Sequence, residues 1–108
     1  MQLRELWEVL VPVRDWYGDK IHISEHKEWD SKICAITKGL SLQKTINGKW
    51  FSKENDIQEE EMIPVRIACT REQLTEIVEL TLNHYRQDAV MAYKTSDEVI
   101  IQEKPKVC

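Results

Sequence analysis

Apolar residues recur along this chain at two periods. From Glu5 to Arg14, ELWEVLVPVR sets Trp7, Val9, Val11 and Val13 on one parity and Glu8, Leu10, Pro12 and Arg14 on the other. Period two with β-branched side chains predicts a half-buried strand. Pro12 has no amide to give to a ladder, so its position must face a gap, an edge or a bulge. The stretch DWYGDK then brings turn chemistry around Gly18.

Beyond it the period changes. Trp29, Ile33, Ile36 and Leu40 recur at spacings of four, three and four, Ser24 is a good N-cap, and Glu25 and Glu28 suit the positive end of a helix dipole. A helix over 25–38, stopped by Gly39, is predicted. Leu40, Leu42 and Ile46 next alternate with polar residues, and Asn47-Gly48 is the two-residue signal of a type I′ hairpin. A ribbon pairing 40–46 with 49–53 follows, and the acidic run at 53–61, KENDIQEEE, is expected to be a mobile solvated loop.

The second half repeats the pattern. Ile63, Val65, Ile67 and Cys69 share one face of a predicted strand over 62–69, and Pro64-Val65-Arg66 matches Pro12-Val13-Arg14 residue for residue. Thr70 with Gln73 forms a capping box, opening a helix whose stripe is Leu74, Ile77, Val78, Thr81, Leu82 and Tyr85. It ends near Gln87. AVMAYK and EVIIQ supply the last strand material, interrupted around 95–97, and 103–108 reads as a loose tail.

Strand, helix, hairpin, strand, helix, strand is the order of an α+β, ferredoxin-like split β-α-β plait: an antiparallel sheet with two helices on one face. Its other face would carry Glu8, Leu10, Pro12, Arg14, Met62, Pro64, Arg66, Met91 and Tyr93. A face so mixed suits water poorly, which predicts a homo-oligomer formed through it. The pattern resembles the α/β-plait proteins, among them small nitrogen-regulator-like trimers and dimeric ferredoxin-like barrels. The run GLSLQKTINGKW is similar, at Gly39, Leu40, Gly48 and Trp50, to a G-L-T, then G-x-W segment of small uncharacterised prokaryotic and phage proteins of that class. The resemblance implies a fold and carries no catalytic residue, because fold does not imply function.

Composition narrows the classes. A chain of 108 residues, 42% hydrophobic and 31% charged, fits a single domain spanning 1–108. Its net charge is −4, with 15 basic residues scattered among 19 acidic ones, so duplex nucleic acid is not an expected partner. Neither a membrane span nor a signal peptide is expected. Cys34, Cys69 and Cys108 are an odd, widely spaced set without a C-x-x-C pair, pointing to free thiols and a cytoplasmic setting.

The candidate chemistry is sparse. HISEHKEWD at 22–30 concentrates histidines and acids, but His22 precedes the predicted cap, so His22 and His26 do not share a helical face as a metal-binding pair requires. No metal or cofactor is implied. His26, His84, Tyr85, Glu8 and Cys69 are possible acid, base or nucleophile positions without a companion at diagnostic spacing, and three glycines leave no phosphate loop. No catalytic residue is assigned. The alternative is a binding module. Arg14 and Arg66 leave their strands on the same parity and could grip a phosphate or carboxylate, with Trp16, Tyr17 and Trp50 placed to stack on a base.

Small anionic or nucleotide-like ligands head the functional readings. A protein-protein inhibitor or adaptor of phage type using Trp50 as an anchor, and a small plait enzyme using histidine or glutamate chemistry, stay open beside them. Arg14 and Arg66 could equally be held by Glu8 or by acids of a partner subunit.

Overall fold

The computed structural model describes residues 4–51, 54 and 56–102. Seven elements follow one another: β1 (Glu5–Pro12), α1 (Ile23–Thr37), β2 (Ser41–Leu42), β3 (Ile46–Phe51), β4 (Ile57–Cys69), α2 (Arg71–His84) and β5 (Ala92–Ser96). β4 lies beside β1, β5 flanks β1 on its other side, and β2 and β3 share the far edge of β4, all antiparallel. This is the split β-α-β plait, with β2 and β3 standing as one interrupted strand.

The alternation expected of β1 and β4 is realised toward the helices, but β1 is not half buried as expected: Glu8, Leu10 and Pro12 of its other parity are buried as well. In the register, Trp7 faces Ile67, Val9 faces Val65 and Val11 faces Ile63, and these residues pack with Trp29, Ile33, Leu74 and Ile77 of the helices. Each such side chain contributes roughly 1.5–3 kcal/mol on leaving water. The buried indole of Trp29 donates to Thr81 Oγ1 at 3.0 Å, and Thr81 passes its own proton to the Ile77 carbonyl at 2.6 Å. These two buried polar groups of the helix seam are thereby paired. Arg71 lies over the Trp7 ring, 5.2 Å from its centroid, a cation–π contact at the mouth of α2.

The two matching prolines mark the two places where the sheet breaks. Successive amides of a strand point to alternate neighbours. The Leu10 amide reaches the Met91 carbonyl at 3.0 Å, so the Pro12 position turns toward the same side, where the register with β5 has already ended at Val9 and Ala92. The Pro64 carbonyl accepts from Gln43 at 3.0 Å, so its missing amide faces the break between β2 and β3. In each case the lost donor falls where no partner strand runs.

Helix ends differ from expectation by one to three residues, α2 stopping at His84 where Gln87 was expected. α1 is capped by His22, whose Nδ1 accepts from the Ser24 amide at 3.1 Å; Ser24 lies inside the helix. At the other end it is Lys38 that takes the left-handed conformation, φ 71°, with its amide bonded to Cys34 O, one residue before Gly39. The α2 capping box forms as predicted, Gln73 N to Thr70 Oγ1 at 3.2 Å and Thr70 N to Gln73 Oε1 at 2.9 Å.

The hairpin is a larger correction. Asn47-Gly48 does not turn the chain; both residues lie inside β3, opposite Glu61 and Glu60. The reversal comes between Phe51 and Ile57, and 57–61, expected as a loop, is the first part of a 13-residue β4. The expected last strand stops at Ser96, and 98–101 adds none. Lys53, the tail at 103–108 and Cys108 lie outside the described residues.

Candidate functional site

Where β1 outruns β5, the chain between α2 and β5 leaves the sheet, and a cleft of about 760 Å³ opens beneath it. Its floor is apolar, made by Leu10, Pro12 and Met62 of the open sheet face, of which Leu10 and Pro12 are buried. One wall is the segment from Tyr85 to Ala92; the opposite rim carries Arg14, Asp15, Trp16, Gly48, Lys49 and Glu60. An apolar base ringed by a few polar groups, at this volume, is the usual form of a small-molecule site.

The rim is set by local structure. Past β1, Arg14 bridges to Lys20 and Asp15 Oδ1 accepts the Tyr17 and Asp19 amides at 2.9 and 3.0 Å, an Asx-type turn closed at Gly18, φ 86°. That turn holds Trp16 out at 79% exposure, with its ring available to a ligand. Arg14 donates to the Gly18 carbonyl at 3.0 Å and lies 3.7 Å from Glu61. On the far wall Arg86 adopts φ 54°, a left-handed turn that an arginine takes only at a cost; the Gln87 amide bonds back to Leu82 O at 3.0 Å, closing the helix end and directing the chain over the cleft.

Glu60 is the notable titratable group of the cleft. It stands opposite Gly48, which brings no side chain beside it, and it has no hydrogen bond or ion pair among the described residues. Partial burial pushes its carboxyl above the ordinary value, because the charged form loses hydration and no ion pair among the described residues offsets it.

Outside the cleft the open face carries a second polar group. Glu8, 7% exposed, accepts from Arg66 Nε at 3.2 Å and from the Tyr93 hydroxyl. Arg66 is thus held by Glu8, one of the two arrangements the sequence left open. Arg14 lies six residues after Glu8, the position facing Arg66, and two beyond the end of β1, so at about 3.3 Å per residue the backbones of the two arginines stand up to roughly 20 Å apart. Arg14 and Trp16 line the cleft; Arg66 and Tyr17 do not. The Trp50 side chain lies outside what the structure describes. Of the acid–base positions, Tyr85 reaches the cleft wall, while His26 and His84 sit in the helix seam. Burial first, and Glu5 second, push the Cys69 thiol up to about 11, keeping it protonated at neutral pH.

Sequence reasoning missed Glu60 and the wall at 86–91. Glu60 is hidden in a run of three glutamates, and nothing in Arg86-Gln87-Asp88-Ala89 announces a left-handed arginine. Among the described residues no three His, Cys, Asp or Glu side chains converge as a metal site would need, and no helix is long and apolar enough to cross a membrane.

No protein-family model matches the chain, and no curated protein does. Solved structures do. The divalent cation tolerance protein CutA1 of Thermus thermophilus superposes with a TM-score of 0.64 at 8% identity, covering 95% of this chain and 88% of that one. A phage SAM lyase in complex with S-methyl-5′-thioadenosine gives 0.60 at 13% identity, covering 92% and 88%. GlnK of B. subtilis, in complex with ATP, gives 0.50 at 14%, covering 85% and 84%. At these identities the likeness is one of fold: the chain has the ferredoxin-like architecture of these small proteins.

Proposed function

We propose that this chain is the subunit of a self-associating cytoplasmic protein that binds a small nucleoside-like ligand, of adenosyl type, in the cleft between the open sheet face and the segment 85–92. The observation that carries this reading is the cleft itself, an apolar floor large enough for such a ligand beside a stacking tryptophan. Trp16 covers the base, Arg14 binds the polar end, and Glu60, lacking a counter-charge among the described residues, favours a positively charged centre on the ligand. The nucleosides in the solved structures of the SAM lyase and of GlnK support the ligand class.

Calorimetric titration with S-methyl-5′-thioadenosine and S-adenosylmethionine tests it. Saturable binding, weakened at least about fivefold by Trp16→Ala as loss of a stacked base at 1–3 kcal/mol implies, is the expected result. No binding of either compound at millimolar concentration overturns it. Self-association rests on the open face, where Met91 is 64% and Tyr93 39% exposed beside buried Glu8 and Leu10. Native mass spectrometry should show more than one subunit, and a monomer at micromolar concentration would remove that part of the proposal.

A second reading, that the ligand is turned over, is favoured by Glu60, whose raised carboxyl suits proton transfer. Incubation with S-adenosylmethionine followed by chromatography for S-methyl-5′-thioadenosine separates holding from turnover. Should neither compound bind, Trp50→Ala in a partner-capture assay becomes the decisive variant, testing the inhibitor reading.

A further inference from the structure

The seam between α1 and α2 contains a chain of ring contacts that the proposed ligand site does not use. His26 Nδ1 lies 2.8 Å from the Tyr85 hydroxyl, with ring centroids 5.5 Å apart. His84 meets Tyr85 edge-on at 4.8 Å, and Trp29 lies 6.2 Å from it. Tyr85 is the C-cap residue of α2 and also lines the cleft. One residue therefore joins the helix seam to the ligand wall.

The hydrogen bonds of His84 set its tautomer. Its Nε2 is 2.8 Å from the Glu25 carbonyl, which only accepts, so Nε2 carries the proton. Its Nδ1 is 3.5 Å from Lys32 Nζ; an ammonium only donates, so Nδ1 is the bare acceptor. A second proton on this ring would set an N–H against Lys32. The groups facing the histidines are Glu25, Glu28, Asp30 and Lys32 from α1 and Tyr85 from α2. Lys32 is also held by Glu28 at 3.4 Å. For His26, burial lowers the pKa more than Asp30 and Glu25 raise it, and the neighbouring His84 lowers it further. For His26 the balance favours the neutral ring.

We propose that this seam is a proton-operated latch on the ligand cleft: with His26 and His84 neutral it holds Tyr85 and the wall that follows it in place, and protonation, which turns His26 Nδ1 from acceptor to donor toward the Tyr85 hydroxyl and sets the His84 ring against Lys32, shifts Tyr85 and weakens ligand binding. The wall is suited to moving. Arg86 stores left-handed strain at its start, and from there to β5 the chain is tied to the sheet by the Leu10 to Met91 hydrogen bond. Histidine is the side chain whose charge changes in the range where this would act.

The latch rests on the proposed ligand site for its consequence but not for its detection. In the intact protein, NMR spectra recorded between about pH 7.5 and 5.5, the span of histidine titration, should show the amides of 85–91 moving with the His26 and His84 ring protons. The movement should be much reduced in His84→Gln and in His26→Gln. In parallel, affinity for S-methyl-5′-thioadenosine should fall about fivefold or more over the same interval, the low end of site-to-site coupling, and the fall should shrink in His84→Gln. Unmoved amides at 85–91, or an equal fall in affinity in wild type and both variants, would overturn the latch. If the probe fails to bind at any pH, the ligand proposal fails, and the amide titration alone decides for or against the latch.

Discussion

The two faces of one sheet meet opposite fates. On the helix-covered face, Val9, Val11, Val65 and Ile67 are at most 2% exposed, and the Trp29 indole and Thr81 hydroxyl above them are paired within the chain. On the open face the alternate residues of the same strands include a carboxylate, an arginine and the floor of a cleft. Strand periodicity alone dictates the division, and it teaches that stability and function can be carried by alternate residues of a single segment. Substitutions on the first face should unfold the protein; on the second they should change what it binds.

The largest effect is expected at Trp29. Trp29→Ala removes a buried ring and leaves the Thr81 hydroxyl without its donor, so urea denaturation should show a loss of about 3–5 kcal/mol. Met91→Ala on the open face should stay within about 0.5 kcal/mol. If the two cost the same, the contrast between faces fails. Next comes Arg66→Ala, which leaves Glu8 with Tyr93 alone; an under-compensated carboxylate at 7% exposure should cost about 1–3 kcal/mol, relieved in the double variant with Glu8→Gln. Thr70→Ala, at the cap of α2, should cost about 1 kcal/mol with ligand binding unchanged.

The smallest effect is a pH dependence. Because the folded-state pKa of His26 lies below its ordinary 6.5, the unfolded chain takes up the proton first as pH falls. Its stabilising contribution is full above pH 6.5 and is lost as pH falls toward the folded-state value. Chemical denaturation at a series of pH values should show that decline, and His26→Gln should flatten it.

The β1, β4 and α2 segments were legible because each obeys one period with a terminal signal: the alternation around Val9 and Val65, and the Thr70–Gln73 box. β3 and the start of β4 were not. Asn47-Gly48 is strong turn chemistry, yet here it is drawn into a ladder with Glu60 and Glu61, and the glutamates show no alternation because that ribbon runs past the end of β1 and has no core to face. Tertiary pairing overrode local preference. Of the candidate site, Arg14 and Trp16 were found because an arginine at a strand end and a tryptophan in a turn are exceptions in themselves. The wall at 86–91 was invisible because its role depends on where β5 stops, which no local pattern records.

The length of β4 sets a rule for how this gene can vary. Its 13 residues are read by three partner strands at once, so one inserted or deleted codon within it would exchange the two faces, sending Arg66 inward and Ile67 outward. Mutational drift in β4 is confined to substitution. Changes of length have to be absorbed elsewhere, between Phe51 and Ile57 or past Ser96, where no register is counted among the described residues.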